Sequence, residues 1–109
     1  MPRRNEPDHL ARAVGRRIRA LRKEAGLSLQ DLADTSELGS KGHLSSVERG
    51  LVRPNIQTLK QIADGLGVLP LDLLTFPADS LRERLVEITR TLRTRALRVA
   101  IGCVNRASA

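Results

Sequence analysis

Between residues 40 and 50 the chain reads SKGHLSSVERG. On a helix of about 3.6 residues per turn, Gly42, Ser45, Ser46 and Arg49 share one face. Leu44, Val47 and Leu51 share the opposite face by the same spacing, and Lys41 and His43 fall in the first turn behind Ser40. The outward residues are small, or carry hydrogen-bonding groups or positive charge. No nucleophile stands beside a base with a third group to orient it. The chemistry open to this face is therefore binding, with the leucine and valine side packed on a core.

The charge balance says what such a face would bind. The chain carries a net charge of +7 with a sequence pI of about 11.2, which attracts polyanions, nucleic acid first and acidic membrane second. Residues 1–26 hold 8 basic and 3 acidic side chains, residues 27–79 hold 4 and 7, and residues 80–109 hold 7 and 2. The flanks are basic, so the middle must act through a few placed cations. No glycine-rich phosphate loop follows a strand, and the carboxylates are scattered over helix caps and faces, so no enzyme is expected. With His9, His43 and Cys103 as the whole supply of imidazoles and thiols, no metal-ligand cluster forms and no cofactor is expected. The lone Cys103 excludes an intrachain disulfide; it fits a small buried residue at a helix contact better than a redox switch or an intermolecular bridge. No apolar run is long enough for a membrane span, and MPRRNEPDH lacks a signal-peptide core, which predicts a soluble cytoplasmic protein.

A chain of 109 residues, with Phe76 its only aromatic side chain, must build its core from Leu, Ile, Val and Ala. That favours packed helices over a sheet. Residues 1–7 read as a loose arm in which Arg3 and Arg4 are either a polar end or a wrap around DNA. Asp8 caps a first helix striped with Leu10, Val14, Ile18 and Leu21 and stopped by Gly26. Ser28 opens a second helix with capping-box spacing to Asp31 and a buried face of Leu29, Leu32 and Ala33. A turn through Glu37, Leu38 and Gly39 leads to Ser40, the cap of a third helix ending at Gly50. Asn55 caps a fourth, with Ile56, Leu59, Ile62, Ala63 and Leu66 as its stripe. Pro70 to Thr75 makes a short fifth, with Leu71, Leu73 and Leu74 inward. Ser80 then caps one long last helix. There Leu81, Leu85, Ile88 and Leu92 run at 4, 3 and 4, and Ala96, Val99, Ala100 and Cys103 continue as a shifted stripe. The expected division is a 1–7 arm, an 8–77 all-α domain and a 78–109 C-terminal helix.

Five short helices with a tight turn between the second and third describe a helix-turn-helix domain. Over about residues 14–76 the chain resembles the phage-repressor (Xre-type) helix-turn-helix family, whose fold is lambda-repressor-like. The resemblance rests on Arg22 before AGLS, the LADTS second helix, the VERG close of the third, the RPNIQTL entry to the fourth, and IADGLGV. It implies that residues 40–50 form a recognition helix lying in the major groove of duplex DNA. Lys41 would then meet guanine O6 or N7, and His43 a base or a phosphate. Ser45 and Ser46 would discriminate weakly beside Gly42, which leaves room for approach. Arg49 and Arg53 would hold phosphates, and Ser28 and Gln30 would assist a phosphate at the second helix. Arg22 and Glu48 match a family ion pair joining the first and third helices. Two positions depart from the pattern: Leu29 stands where members often carry Gln, and the turn through SELGSKG is one residue longer.

These readings predict a transcriptional regulator, a repressor binding a palindromic operator as a homodimer. Leu81, Leu85, Ile88, Leu92, Ala96 and Val99 would form the dimer seam. A competing reading keeps the fold but makes the C-terminal helix a docking surface for a protein partner, as in an antitoxin or adaptor. A third, nonspecific nucleoid coating, predicts no operator preference.

Overall fold

The computed structural model describes residues 8–108, so the expected arm over residues 1–7, with Arg3 and Arg4, lies outside the described residues. Among the described residues the structure is all-helical. In chain order the helices are α1 (His9–Glu24), α2 (Leu29–Thr35), α3 (Lys41–Glu48), α4 (Ile56–Leu66), α5 (Pro70–Leu73), α6 (Leu81–Thr89) and α7 (Thr94–Ser108). They divide into two compact units, with the boundary between Thr75 and Phe76.

Local capping explains where the helices of the first unit begin. The side chains of Asp8, Ser28, Ser40 and Asn55 each accept the backbone N–H three residues on, at Ala11, Asp31, His43 and Thr58. Each bond satisfies a donor that has no partner inside its helix. At α2 the box is reciprocal, because the Asp31 carboxylate also accepts the Ser28 N–H at 3.1 Å. The hydrogen bond from the Ser28 backbone N–H and, secondarily, the nearby Ser28 hydroxyl hold the Asp31 carboxyl below the usual carboxylate range.

The core is aliphatic. Val14, Ile18 and Leu21 of α1, Leu32 and Ala33 of α2, Leu44 and Val47 of α3, Ile62 and Ala63 of α4, and Leu73 of α5 are all buried. α1 packs on α3, α2 packs on α3 and α4, and α4 packs on α5. Burying each Val, Leu or Ile contributes about 1.5–3 kcal/mol. α1 approaches α3 closely through Gly15, where a Cβ would stand 2.5 Å from both the Val47 and Glu48 carbonyl oxygens. Only a residue without a side chain fits there.

Several apolar residues expected inside lie outside. Leu51 is 62% exposed because α3 ends at Glu48 and Gly50 turns the chain with φ 73°. The helical spacing that aligned Leu51 with Leu44 and Val47 no longer applies beyond that turn. Ile56, in the first turn of α4, is 86% exposed, and Leu10 in the first turn of α1 is exposed as well. α5 is a single turn, so it can turn only one leucine inward. Leu73 is buried while Leu71 and Leu74 are exposed. Asp72 is buried instead, with its carboxylate accepting the Leu69 N–H at 2.9 Å and its carbonyl accepting Arg17 Nε at 2.8 Å.

The second unit differs from expectation in its continuity. The one long helix expected after Ser80 is two helices, α6 and α7, interrupted over residues 90–93. The break contains Leu92, the last residue of the heptad-like seam before Arg95 takes the next seam place. Ser80 caps α6 by accepting the Glu83 N–H at 3.1 Å. The Glu83 carboxylate accepts from the Phe76 backbone N–H and, secondarily, the Ser80 hydroxyl, and both lower its pKa. Neither α6 nor α7 contains a buried residue. Cys103, expected at a buried helix contact, is exposed, 3.3 Å from Arg106 Nη2. Among the described residues no helix is long and apolar enough to cross a membrane, and no three His, Cys, Asp or Glu side chains group as metal ligands.

Candidate nucleic-acid interface

α3 is fixed from behind. Leu44 and Val47 are fully buried, so the opposite face can project without the helix rolling. Behind them sits the pair of Arg22 and Glu48. Arg22 Nε lies 2.8 Å from Glu48 Oε2 and Arg22 Nη2 lies 3.1 Å from Oε1, a two-pronged contact. The third nitrogen, Nη1, donates to the Leu27 carbonyl at 2.9 Å. One guanidinium thereby ties α1, the α1–α2 turn and the end of α3 together. The side chains are 11% and 5% exposed, so the charges are largely removed from water and depend on each other.

The outward side of α3 has the opposite character. Ser40, Lys41, Gly42 and His43 are exposed at its start, Ser45 and Ser46 are half-buried, and Arg49 is exposed at its end. The side chains of Lys41, His43 and Arg49 make no hydrogen bond or ion pair among the described residues. Gly42 has open space around it: the nearest atom to an added Cβ would be Ser40 Oγ at 3.9 Å. Two cations, one imidazole, two hydroxyls and an open notch are therefore presented along about two turns of helix.

The remaining expected contacts are engaged internally. Gln30 Nε2 donates to Asp34 Oδ1 at 2.9 Å. The Ser28 hydroxyl and N–H are both taken by the capping box with Asp31. Arg53, in the segment between α3 and α4, pairs through Nε with Asp8 Oδ2. Reading the sequence placed Asp8 only as a cap and did not connect it to Arg53, which is 45 positions away. Gly15 carries its own local signal, because a glycine inside an apolar helix stripe marks close packing.

The turn between α2 and α3 carries unusual backbone. Glu37 has φ 59° and Gly39 has φ 68°, two left-handed residues within three positions. A glutamate adopts that conformation at some cost.

Comparison with known proteins agrees with this geometry. Residues 13–75 match the family model described as a helix-turn-helix domain. The chain is 41% identical over 58 residues to the HTH-type transcriptional regulator DdrOP3 of Deinococcus deserti, covering 53% of this chain and 44% of that protein. It is 40% identical over 55 residues to the immunity repressor protein of Bacillus phage phi105, covering 50% of this chain and 38% of that protein. The chain thus spans less than half the length of either relative. Among solved structures, the clp gene regulator ClgR from Corynebacterium glutamicum aligns with a TM-score of 0.58 at 26% identity, over 94% of this chain and 93% of that one.

Proposed function

The chain belongs to the phage-repressor (Xre-type) helix-turn-helix family, and from that premise we propose that it is a sequence-specific duplex-DNA-binding transcriptional regulator. In this reading it is a repressor that binds a palindromic operator as a homodimer. The observation that carries it is the contrast across α3, with Leu44, Val47 and the Arg22–Glu48 pair locked inward and Lys41, Gly42 and His43 exposed and uncommitted. A helix entering a groove needs that division: a rigid back, and a front with donors and no bulk. Lys41 reads a guanine edge, and His43 meets a base or a phosphate. Ser40, Ser45 and Ser46 add hydrogen bonds, while Arg49 and Arg53 with the start of α2 at Ser28 and Gln30 hold phosphates.

The second unit supplies the surface for the dimer in this reading. Leu81, Leu85, Ile88, Leu92, Ala96 and Val99 are all exposed, Leu81 at 83%. One such domain reads only a few base pairs, and two half-sites about 34 Å apart multiply specificity. Two copies pairing these apolar faces would cover them. The same faces also favour a second reading, docking of a protein partner.

Selection of binding sites from random duplex DNA with the full chain tests the proposal. An enriched inverted repeat is expected, with Lys41→Ala losing about 1–3 kcal/mol of discrimination at one position of each half-site. Affinity should fall steeply with salt, log K dropping about 0.9 per phosphate contacted. A folded protein that enriches no sequence would overturn the reading in favour of the docking module.

A further inference from the structure

We infer that Asp8 is an internal competitor for DNA phosphate at Arg53, and so sets the sequence-independent part of the affinity; this rests on the DNA-binding reading above. Among the described residues, the Asp8 carboxylate serves both a cap and an ion pair. Oδ1 accepts the Ala11 N–H at 3.0 Å and caps α1, while Oδ2 accepts from Arg53 Nε. Arg53 lies five residues past the end of α3, on the segment leading to α4. A carboxylate held against a guanidinium presents the same charge and oxygen geometry that a phosphate would. While the pair is closed, Arg53 contributes no net charge to a polyanion.

The pair is built to open. Among the described residues only one nitrogen of Arg53 is used, and its side chain is 44% exposed, against 11% for Arg22 in the two-pronged pair behind α3. An exposed ion pair shifts an equilibrium by about fivefold at most. A phosphate can therefore displace Asp8, but at a toll on every duplex regardless of sequence. Contacts of α3 to base edges do not pass through Arg53 and escape that toll. Asp8 thereby lowers nonspecific binding more than it lowers the specificity ratio.

The test uses the full chain and a random-sequence duplex of about 25 base pairs, with affinity measured over a series of salt concentrations. Asp8→Ser keeps a capping oxygen for Ala11 but removes the carboxylate. The expected result is binding about two- to fivefold tighter than the parent. The slope of log K against log salt should steepen by up to about 0.9, one phosphate's worth. In an Arg53→Ala background the same substitution should change neither quantity. Equal tightening in that background would overturn the proposal, because it would mark a general charge effect. Unchanged or weaker binding by Asp8→Ser would also overturn it. Asp8→Asn, which keeps the cap and one neutral acceptor, should fall between; if Asp8→Ser proves unfolded, Asp8→Asn decides by the same criteria. A parent chain that binds no duplex at all would instead refute the DNA-binding reading, and the competitor with it.

Discussion

Gly15→Ala is the substitution on which local and tertiary physics disagree in sign. In an open helix interior, alanine stabilises relative to glycine by about 0.8–1.0 kcal/mol. At Gly15 the added Cβ would sit 2.5 Å from the carbonyl oxygens of Val47 and Glu48. An unstrained carbon–oxygen contact is about 3.3 Å or longer, so α1 and α3 must part by roughly 0.8 Å. Both obstacles are backbone at the end of the candidate recognition helix, so no rotamer change relieves them. A gap of that size forfeits about a quarter to a half of each van der Waals contact along the interface. Overpacking typically costs about 1–3 kcal/mol, and an obstacle made of backbone belongs at the upper end. After the propensity gain, a net loss of about 1–2 kcal/mol is expected. For a domain of this size that is a fall in Tm of about 4–16 °C. Thermal unfolding followed by far-ultraviolet circular dichroism measures it, with Gly42→Ala as the control. At Gly42 the added Cβ meets nothing closer than 3.9 Å, so that variant should gain stability by up to about 1 kcal/mol. A rise in Tm for Gly15→Ala matching that of Gly42→Ala would refute the close-approach argument.

Three further outcomes follow from the same contacts. Arg22→Ala should cost about 3–5 kcal/mol, because it leaves the buried Glu48 carboxylate without its ion-pair partner, whereas Arg53→Ala should cost at most about 1 kcal/mol; denaturant titration of the two variants, with Arg22→Lys failing to restore the two-pronged contact, checks this. Glu37→Gly should stabilise by roughly 0.5–1 kcal/mol by relieving the left-handed backbone in the α2–α3 turn, and an unchanged or lowered denaturation midpoint would count against strain at that position. Asp31 should titrate below an ordinary aspartate, and Ser28→Ala should move it back up, as read by carboxyl chemical shifts against pH. Because its folded pKa is depressed, the capping box stabilises α2 above the unfolded pKa, and that contribution is lost as pH falls through the folded value.

The class of fold, most helix starts and the family were legible in the order of the residues. Those features are local or periodic: Asp8, Ser28, Ser40 and Asn55 cap through bonds that span three residues, and Val14, Ile18, Leu44, Val47 and Ile62 follow a single helical period. The ion pair of Arg22 with Glu48 could be anticipated only through the family resemblance, since nothing local links positions 26 apart. Which apolar residues past a helix end stay in water depends on the folded chain. Leu51 and Ile56 fit their stripes by spacing, but spacing has no meaning once Gly50 reverses the chain or in a first turn that faces outward. The folded chain also decided that Gly15 is an interface, because the distance between two helices is not written in either of them. Likewise, Arg53 and Gln30 read from sequence as free donors, but each lies beside a carboxylate that folding brings within reach, Asp8 across the domain and Asp34 one helical turn on. A side chain's type sets the chemistry it can do, and its neighbours in the folded chain set whether it is free to do it.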